Sequence, residues 1–154
     1  MKFSSRQDIE APIDFVFKEV SDFDAIERQM LRRGVKVQCT DQGDARGVGR
    51  SWAAKMAFRG KSRNVAAELT QVEKPNGYSI VSASGGINMH LDVDLVALSR
   101  NRTRVAVAVD VKPSSLSARL LVQSMKFAKT NLQKRFDSRV ASFATEIKER
   151  YARA

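Results

Sequence analysis

The segment after Pro113 constrains the fold more than any other part of the chain, because it has the pattern of one very long helix. From Ser115 to about Tyr151 no proline or glycine interrupts it. About 35 helical residues span roughly 50 Å, whereas a strand of about ten residues spans roughly 33 Å. We therefore expect the helix to overhang any sheet that it covers, to bend, or both. Its apolar residues recur at steps of three and four: Leu121, Met125, Ala128, Leu132, Phe136, Val140, Phe143 and Ile147.

Patterns with a period of two, typical of strands, fill most of the chain before that helix. One such segment covers residues 1–11, and six more lie between Gly34 and Pro113. The connections between the six are short, with turn sequences such as "RGK" at 59–61 and "EKPNG" at 73–77. Short connections favour an antiparallel meander over a parallel sheet.

Two short helices are predicted between the first and second strands. Pro12 suits a first helical turn, and Ser21 or Asp22 can cap a second helix, so the chain stops and restarts there. Gly34 is a suitable C-terminal stop. The two apolar stripes have helical spacing and consist of Ile13, Val16, Phe17 and Val20, then Phe23, Ile26 and Met30.

This order of elements predicts an α+β fold. A seven-stranded antiparallel sheet can cover its apolar face with one long helix only by curving around it. The two short helices between strands 1 and 2 are then free to close one end of the groove that results. With 154 residues, we expect one domain spanning 1–154.

Composition and charge restrict the function classes. The only cysteine, Cys39, excludes an internal disulfide, and no apolar run approaches the ~18 residues of a membrane span. The start, "MKFSSRQDIE", lacks the apolar core of a signal peptide, so we expect a cytoplasmic protein. The net charge of +10 predicts attraction to polyanions. Nucleic-acid binding is not expected, because the cations are dispersed and the aromatic residues lie on faces predicted to be buried.

Four sequence features together resemble the START-like superfamily. They are "IEAPIDFVF" near the start, "GVGRSW", the "FRGK" hairpin, and "VKP" leading into a long basic C-terminal helix. The superfamily includes START lipid-transfer domains, aromatic polyketide cyclases, plant pathogenesis-related allergens and bacterial carbon-monoxide-dehydrogenase accessory subunits. The resemblance covers essentially the whole chain. It implies the helix-grip fold, with a hydrophobic cavity between the curved sheet and the long helix.

Apolar and small residues on the predicted inner faces are the candidate ligand-binding set. The alternative is that they fill a solid core, as such stripes usually do. Small side chains at several strand positions favour a cavity. The candidates are Trp52, Ala54, Met56, Phe58, Ala67, Leu69, Ser82, Ser84, Met89, Leu91, Val93, Leu121, Met125, Leu132 and Phe136, with Arg50 as a polar anchor.

Conventional catalytic and metal sites are not expected, and the catalytic residues of any enzymatic activity are not identified. The only histidine, His90, alternates with the inner-face residues and therefore belongs to the outer face. Without a second histidine or another cysteine, a zinc-type metal site has no ligand set. The glycines of "GVGRSW" precede a strand and not a helix, so they do not form a nucleotide-binding loop. No cofactor is expected.

A second apolar patch is predicted at the start of the long helix, away from its main stripe. Apolar residues beside cations suit an anionic membrane or a partner protein, and the alternative is that loops or the short helices cover them. The patch consists of Leu116, Arg119, Leu120, Lys126 and Phe127.

The function predicted first is non-catalytic binding or transfer of a hydrophobic small molecule, such as a lipid, quinone, sterol or polyketide, with the N-terminal helices as a lid. The alternative is an enzyme of the polyketide cyclase or dehydratase kind that folds a reactive substrate in the same cavity. The sequence leaves open whether the chain is an enzyme, whether it touches a membrane and whether it forms a homodimer.

Overall fold

Seven antiparallel strands form one sheet in the computed structural model, which describes residues 1–58 and 60–154. The strand order is β1-β7-β6-β5-β4-β3-β2. Strands β2 to β7 are sequential neighbours, which confirms the predicted meander, and β1 pairs with β7. The strands are β1 (Lys2–Ile9), β2 (Lys36–Asp41), β3 (Ser51–Phe58), β4 (Lys61–Glu73), β5 (Gly77–Ser84), β6 (Ile87–Ser99) and β7 (Arg102–Pro113).

Two short helices connect β1 to β2, as the sequence predicts. They are α1 (Ile13–Val20) and α2 (Phe23–Arg32). The restart lies at Asp22, whose carboxylate accepts a hydrogen bond from the Ala25 N–H at 3.1 Å. The first helix buries three side chains of its apolar stripe, whereas the second buries none completely. Helix α2 is therefore the less firmly packed of the two.

The C-terminal helix is interrupted and consists of two parts, α3 (Leu116–Phe127) and α4 (Lys129–Arg153). Ala128 separates them, and its N–H donates to the Met125 carbonyl at 3.0 Å, a tightened turn. The expectation of an unbroken helix is therefore wrong at Ala128. Helix α3 packs on β7, whereas α4 packs on β1.

Buried side chains gather in two clusters at opposite ends of β1 and β7. Both clusters lie on the inner face of the sheet, the face that meets α3 and α4. The first cluster joins α1 to the far end of α4 and contains Ile9, Ala11, Val16, Phe17, Val20, Val93, Leu95, Val105, Ala144 and Ile147. The second joins the start of β1 to α3 and contains Phe3, Val111 and Val122.

Candidate functional site

The inner face of strands β3 to β6, beside the two buried clusters, holds most of the predicted ligand-binding residues of the sheet, and we call it the groove. The strand register brings four of the predicted ligand-binding residues into one row across these strands. Trp52 is opposite Ala67, Ala67 is opposite Ser82, and Ser82 is opposite Met89. Because side chains alternate along a strand, every member of this row faces the helices.

Groove side chains are mostly half-buried. On the sheet, Ala67, Ser82, Met89 and Leu91 keep contact with solvent, although Trp52, Leu69 and Val93 are buried. On the helices, the predicted residues that are half-buried are Leu121, Met125, Leu132 and Phe136. Met89, Leu132 and Phe136 pack against the second cluster and Leu91 against the first, so part of this face continues the packed core.

An open concavity of about 750 Å³ borders the groove where β2 and β4 begin. The inner-face residues Ala54 and Ser84 line it, and it extends from Leu31 of α2 to Ser114, just before α3. A second concavity of about 950 Å³ is lined by the row Trp52, Ala67, Ser82 and Met89, together with outward-facing residues such as His90. Ala66, on the outer face of β4, lines both concavities, so neither is enclosed between the sheet and the helices.

Three predicted ligand-binding residues lie at the margin of the groove. Met56 is exposed near the end of β3, and Phe58 packs under the Arg63 guanidinium, 5.7 Å from its ring centre. Ser84 donates its hydroxyl to the Asn64 carbonyl at 2.6 Å. The predicted turn at 59–61 includes Arg59, which lies outside the described residues, but Phe58 and Lys61 pair on either side of it.

Arg50 lies beside the groove, in a cluster that joins α2 to the sheet. Its guanidinium carbon lies 5.8 Å from the ring centre of Phe23 and 5.6 Å from that of Trp52, and the two rings contact each other at 5.4 Å. One terminal nitrogen donates to Asp24 at 2.8 Å and to Glu27 at 3.1 Å. The Trp52 indole N–H donates to the same Glu27 oxygen at 2.6 Å. We call these five residues the Arg50 cluster.

The charges of this cluster hold α2 against the sheet, because Arg50 pairs with two carboxylates of that helix. The hydrogen bond from Arg50, together with its charge, lowers the pKa of Asp24 below its usual value. The Nε atom of Arg50 is buried and has no hydrogen-bond partner among the described residues. Arg50 thus holds α2 through one terminal nitrogen, while its Nε donor is unused.

Tyr78 extends the same contact to α1. Its ring packs edge-on against Phe23 at 5.2 Å, and its hydroxyl donates to the Val20 carbonyl at 2.7 Å. Burial raises the pKa of the Tyr78 hydroxyl well above its ordinary value, so the group stays neutral and serves as a donor. Both short helices are therefore tied to the sheet by polar side chains.

His90 lies on the outer face, as the alternation predicts, and does not form a nucleophilic site there. Its Nε2 is 2.9 Å from Asp92, and the Ser79 hydroxyl donates to the same Asp92 oxygen at 2.5 Å. The Ser79 bond, with His90 as a further cause, lowers the pKa of Asp92. Because the carboxylate stands between hydroxyl and imidazole, the histidine cannot accept the serine proton. Among the described residues no group of three or more potential ligands could hold a metal ion.

The second predicted patch lies on the outer side of α3. Its apolar residues are exposed, with exposed fractions of 76% for Leu116, 63% for Leu120 and 95% for Phe127. Arg119 and Lys126 are exposed beside them. None of the helices in the described part of the chain is both long and apolar enough to cross a membrane.

Sequence reasoning missed Phe23, Asp24, Glu27 and Tyr78 as residues of the site. A signal was available for two of them: Asp24 and Glu27 are spaced three apart on α2, hence on one helical face, in a chain with a large excess of cations. Which arginine they would bind could not be deduced, because Arg50 meets α2 only when the sheet curves.

Comparisons with known proteins establish the fold. No protein-family model and no curated protein sequence matches the chain. Among solved structures, the Zhui aromatase/cyclase from Streptomyces sp. R1128 has a TM-score of 0.68 at 11% identity, over 97% of this chain and 94% of that chain. The protein TTHA0849 from Thermus thermophilus gives 0.67 at 14% identity, over 96% and 97%. A START superfamily protein from Mycobacterium smegmatis gives 0.59 at 14% identity, over 87% and 95%.

Proposed function

Because the chain has the helix-grip fold of START-like proteins, we propose that it binds a hydrophobic small molecule in the groove and carries or transfers it. The ligand class is a lipid, quinone, sterol or polyketide. The observation that carries this proposal is that inner-face residues such as Ala67, Ser82, Leu121 and Met125 stay half-buried beside the packed clusters. A protein that needed this surface only for stability would gain by packing it completely.

The lining favours an extended apolar ligand. Ala67 and Ser82 leave space at the centre of the row, and Met89 with its flexible thioether can adapt to different shapes. A ligand that buries about 300 Å² of apolar surface gains about 7 kcal/mol at ~25 cal/mol per Å². Association costs remove much of this, so apolar contact alone supports micromolar or weaker binding.

A polar anchor would give tighter binding, and Arg50 supplies the candidate donor. Its buried, unpaired Nε stands beside the groove residue Trp52. A carbonyl or hydroxyl oxygen of the ligand could accept this hydrogen bond once α2 moves. The lid and the anchor would then be coupled through one side chain.

The alternative function is a polyketide cyclase or dehydratase-like enzyme acting in the same groove. The observation that favours it is an inward-facing tyrosine, Tyr78, near Arg50. The hydroxyl of Tyr78 already donates to Val20, however, and one terminal nitrogen of Arg50 binds Asp24 and Glu27. Because these polar atoms are occupied by the lid, binding without chemistry is the function that we propose first.

The test compares an inner-face position on β4 with an outer-face position on β3. Ala67 is half-buried in the groove, whereas Ala57 is exposed on the outer face and lines neither concavity. With the neutral probe phenylnaphthylamine, we expect Ala67→Phe to weaken binding about tenfold or more because the phenyl ring fills the groove, and Ala57→Phe to leave it unchanged. Mass spectrometry of molecules that copurify with the protein identifies the natural ligand. Equal binding by both variants, or no binding by the wild type, would contradict the proposal.

A further inference from the structure

We propose that the exposed stripe of α3 docks the protein on an anionic membrane surface. The stripe consists of Leu116, Leu120 and Phe127. This inference concerns where the protein works, and it is independent of what the groove binds.

The stripe is a second apolar face on a helix whose first apolar face is already buried. Spacings of four and seven place its three residues within about 40° of one another on the helix surface. Ala118 and Val122, buried against β7, lie on the opposite side. Packing of α3 on the sheet therefore requires none of the stripe residues, yet Phe127 is 95% exposed.

The surroundings of the stripe carry charge of one sign. From Pro113 to Phe136 the chain has five cations and no acidic residue. All five are exposed, and no ion pair found among the described residues involves them. Apolar side chains among unpaired cations match the boundary between the headgroups and acyl chains of anionic lipids. The five cations are Arg119, Lys126, Lys129, Lys134 and Arg135.

Size and charge disfavour a second copy of the chain as the occupant. The three side chains expose roughly 400 Å² of apolar surface, about half of the ~800 Å² that each partner of a stable complex buries. Self-association through this face would also bring two sets of five cations together. A lipid surface has neither restriction, because it offers negative charge and needs no shape complementarity.

Position relative to the groove gives the docking a consequence. Ser114, two residues before the stripe, lines the concavity that borders the groove, and the α3 residues Leu121 and Met125 are half-buried. This consequence rests on the proposed function: membrane docking would bring the groove mouth close to the acyl chains from which an apolar ligand is taken.

The experiment measures co-sedimentation of the full chain with two kinds of vesicle. One is phosphatidylcholine alone, and the other contains about one third phosphatidylserine. We expect binding to the anionic vesicles that weakens as salt is raised. The double variant Leu120→Ser/Phe127→Ser leaves the net charge unchanged, so a loss of binding of about tenfold or more would show that the apolar stripe itself inserts.

The matched control is Val96→Ser/Leu98→Ser, which removes two exposed apolar side chains at the opposite end of β6. It should bind vesicles as the wild type does, and circular dichroism should show both variants folded. Failure of the wild type to bind anionic vesicles, or equal binding by the stripe variant, would overturn the proposal. So would a dimer in sedimentation velocity that the stripe variant abolishes. Phenylnaphthylamine binding by the stripe variant should be unchanged, which separates this inference from the proposed function.

Discussion

At the scale of single residues, Glu27 is the centre of the contact between helix α2 and the sheet. One carboxylate oxygen accepts from both Arg50 and the Trp52 indole, and the side chain is only 20% exposed. Asp24 binds the same arginine from the surface, where its side chain is 70% exposed. Two acids in one cluster therefore differ strongly in the water around them.

We predict that Glu27→Ala lowers the free energy of unfolding by about 2–3 kcal/mol, because it leaves the buried Trp52 N–H without its acceptor and Arg50 with only the exposed Asp24. Asp24→Asn should cost less than about 1 kcal/mol, because solvent screens an exposed pair. Urea unfolding followed by the fluorescence of Trp52, the only tryptophan, measures both. Equal losses for the two variants would show that burial does not set the strength of this cluster.

At the scale of elements, the turn between β5 and β6 positions the start of α3. Ser115 caps α3, since its hydroxyl oxygen accepts from the Ala118 N–H at 3.1 Å. Gly86 has a φ of +83°, and a Cβ added there would lie 2.5 Å from that same oxygen. Gly85 has a φ of +52° and open space around it. Of the two glycines in the turn, only Gly86 therefore lies close to the Ser115 cap of α3.

Gly86→Ala should therefore destabilise the protein by about 2–3 kcal/mol, from the positive φ and the displaced cap together. The neighbouring change Gly85→Ala meets only the backbone penalty, about 1 kcal/mol. Thermal unfolding by circular dichroism compares them. If both variants lose the same stability, the close approach of Gly86 to Ser115 does not hold α3 in place.

At the scale of the whole molecule, the helices differ in how many buried side chains hold them to the sheet. The first cluster fixes α4 to β6, β7 and α1, with Ile147 completely buried. Helix α2 has no fully buried side chain and is held mainly by the Arg50 cluster. Parts held by few buried contacts open at lower free energy than the core.

Among the helices and strands, amide hydrogen exchange should consequently be fastest in α2 and slowest in β6, β7 and the second half of α4. Mass spectrometry of peptides from the exchanging protein gives this order. Glu27→Ala should raise the exchange of α2 about tenfold or more without changing that of α4, since about 1.4 kcal/mol corresponds to a factor of ten. Uniform exchange along the chain, or a parallel rise in α4, would show that α2 does not open separately as a lid.

Much of the fold followed from the sequence because local patterns determine it. Alternation fixed which residues of β3 to β7 face inward, and the stripes and caps of residues 12–34 fixed two short helices. The length of the C-terminal segment required that the helix overhang the sheet, bend, or both. Each of these inferences uses neighbours in the chain, so one sequence suffices.

Tertiary structure alone decided where the C-terminal helix is interrupted and which residues hold α2 on the sheet. Alanine is the best helix former, so nothing local marks Ala128 as the break; α3 before it packs on β7, and α4 after it packs on β1. The Arg50 cluster likewise joins residues 23–27 to residues 50–52, which the register of the sheet and the packing of α2 bring together. Sequence patterns report which side of an element is apolar, but pairing between distant elements depends on how the surfaces curve and meet.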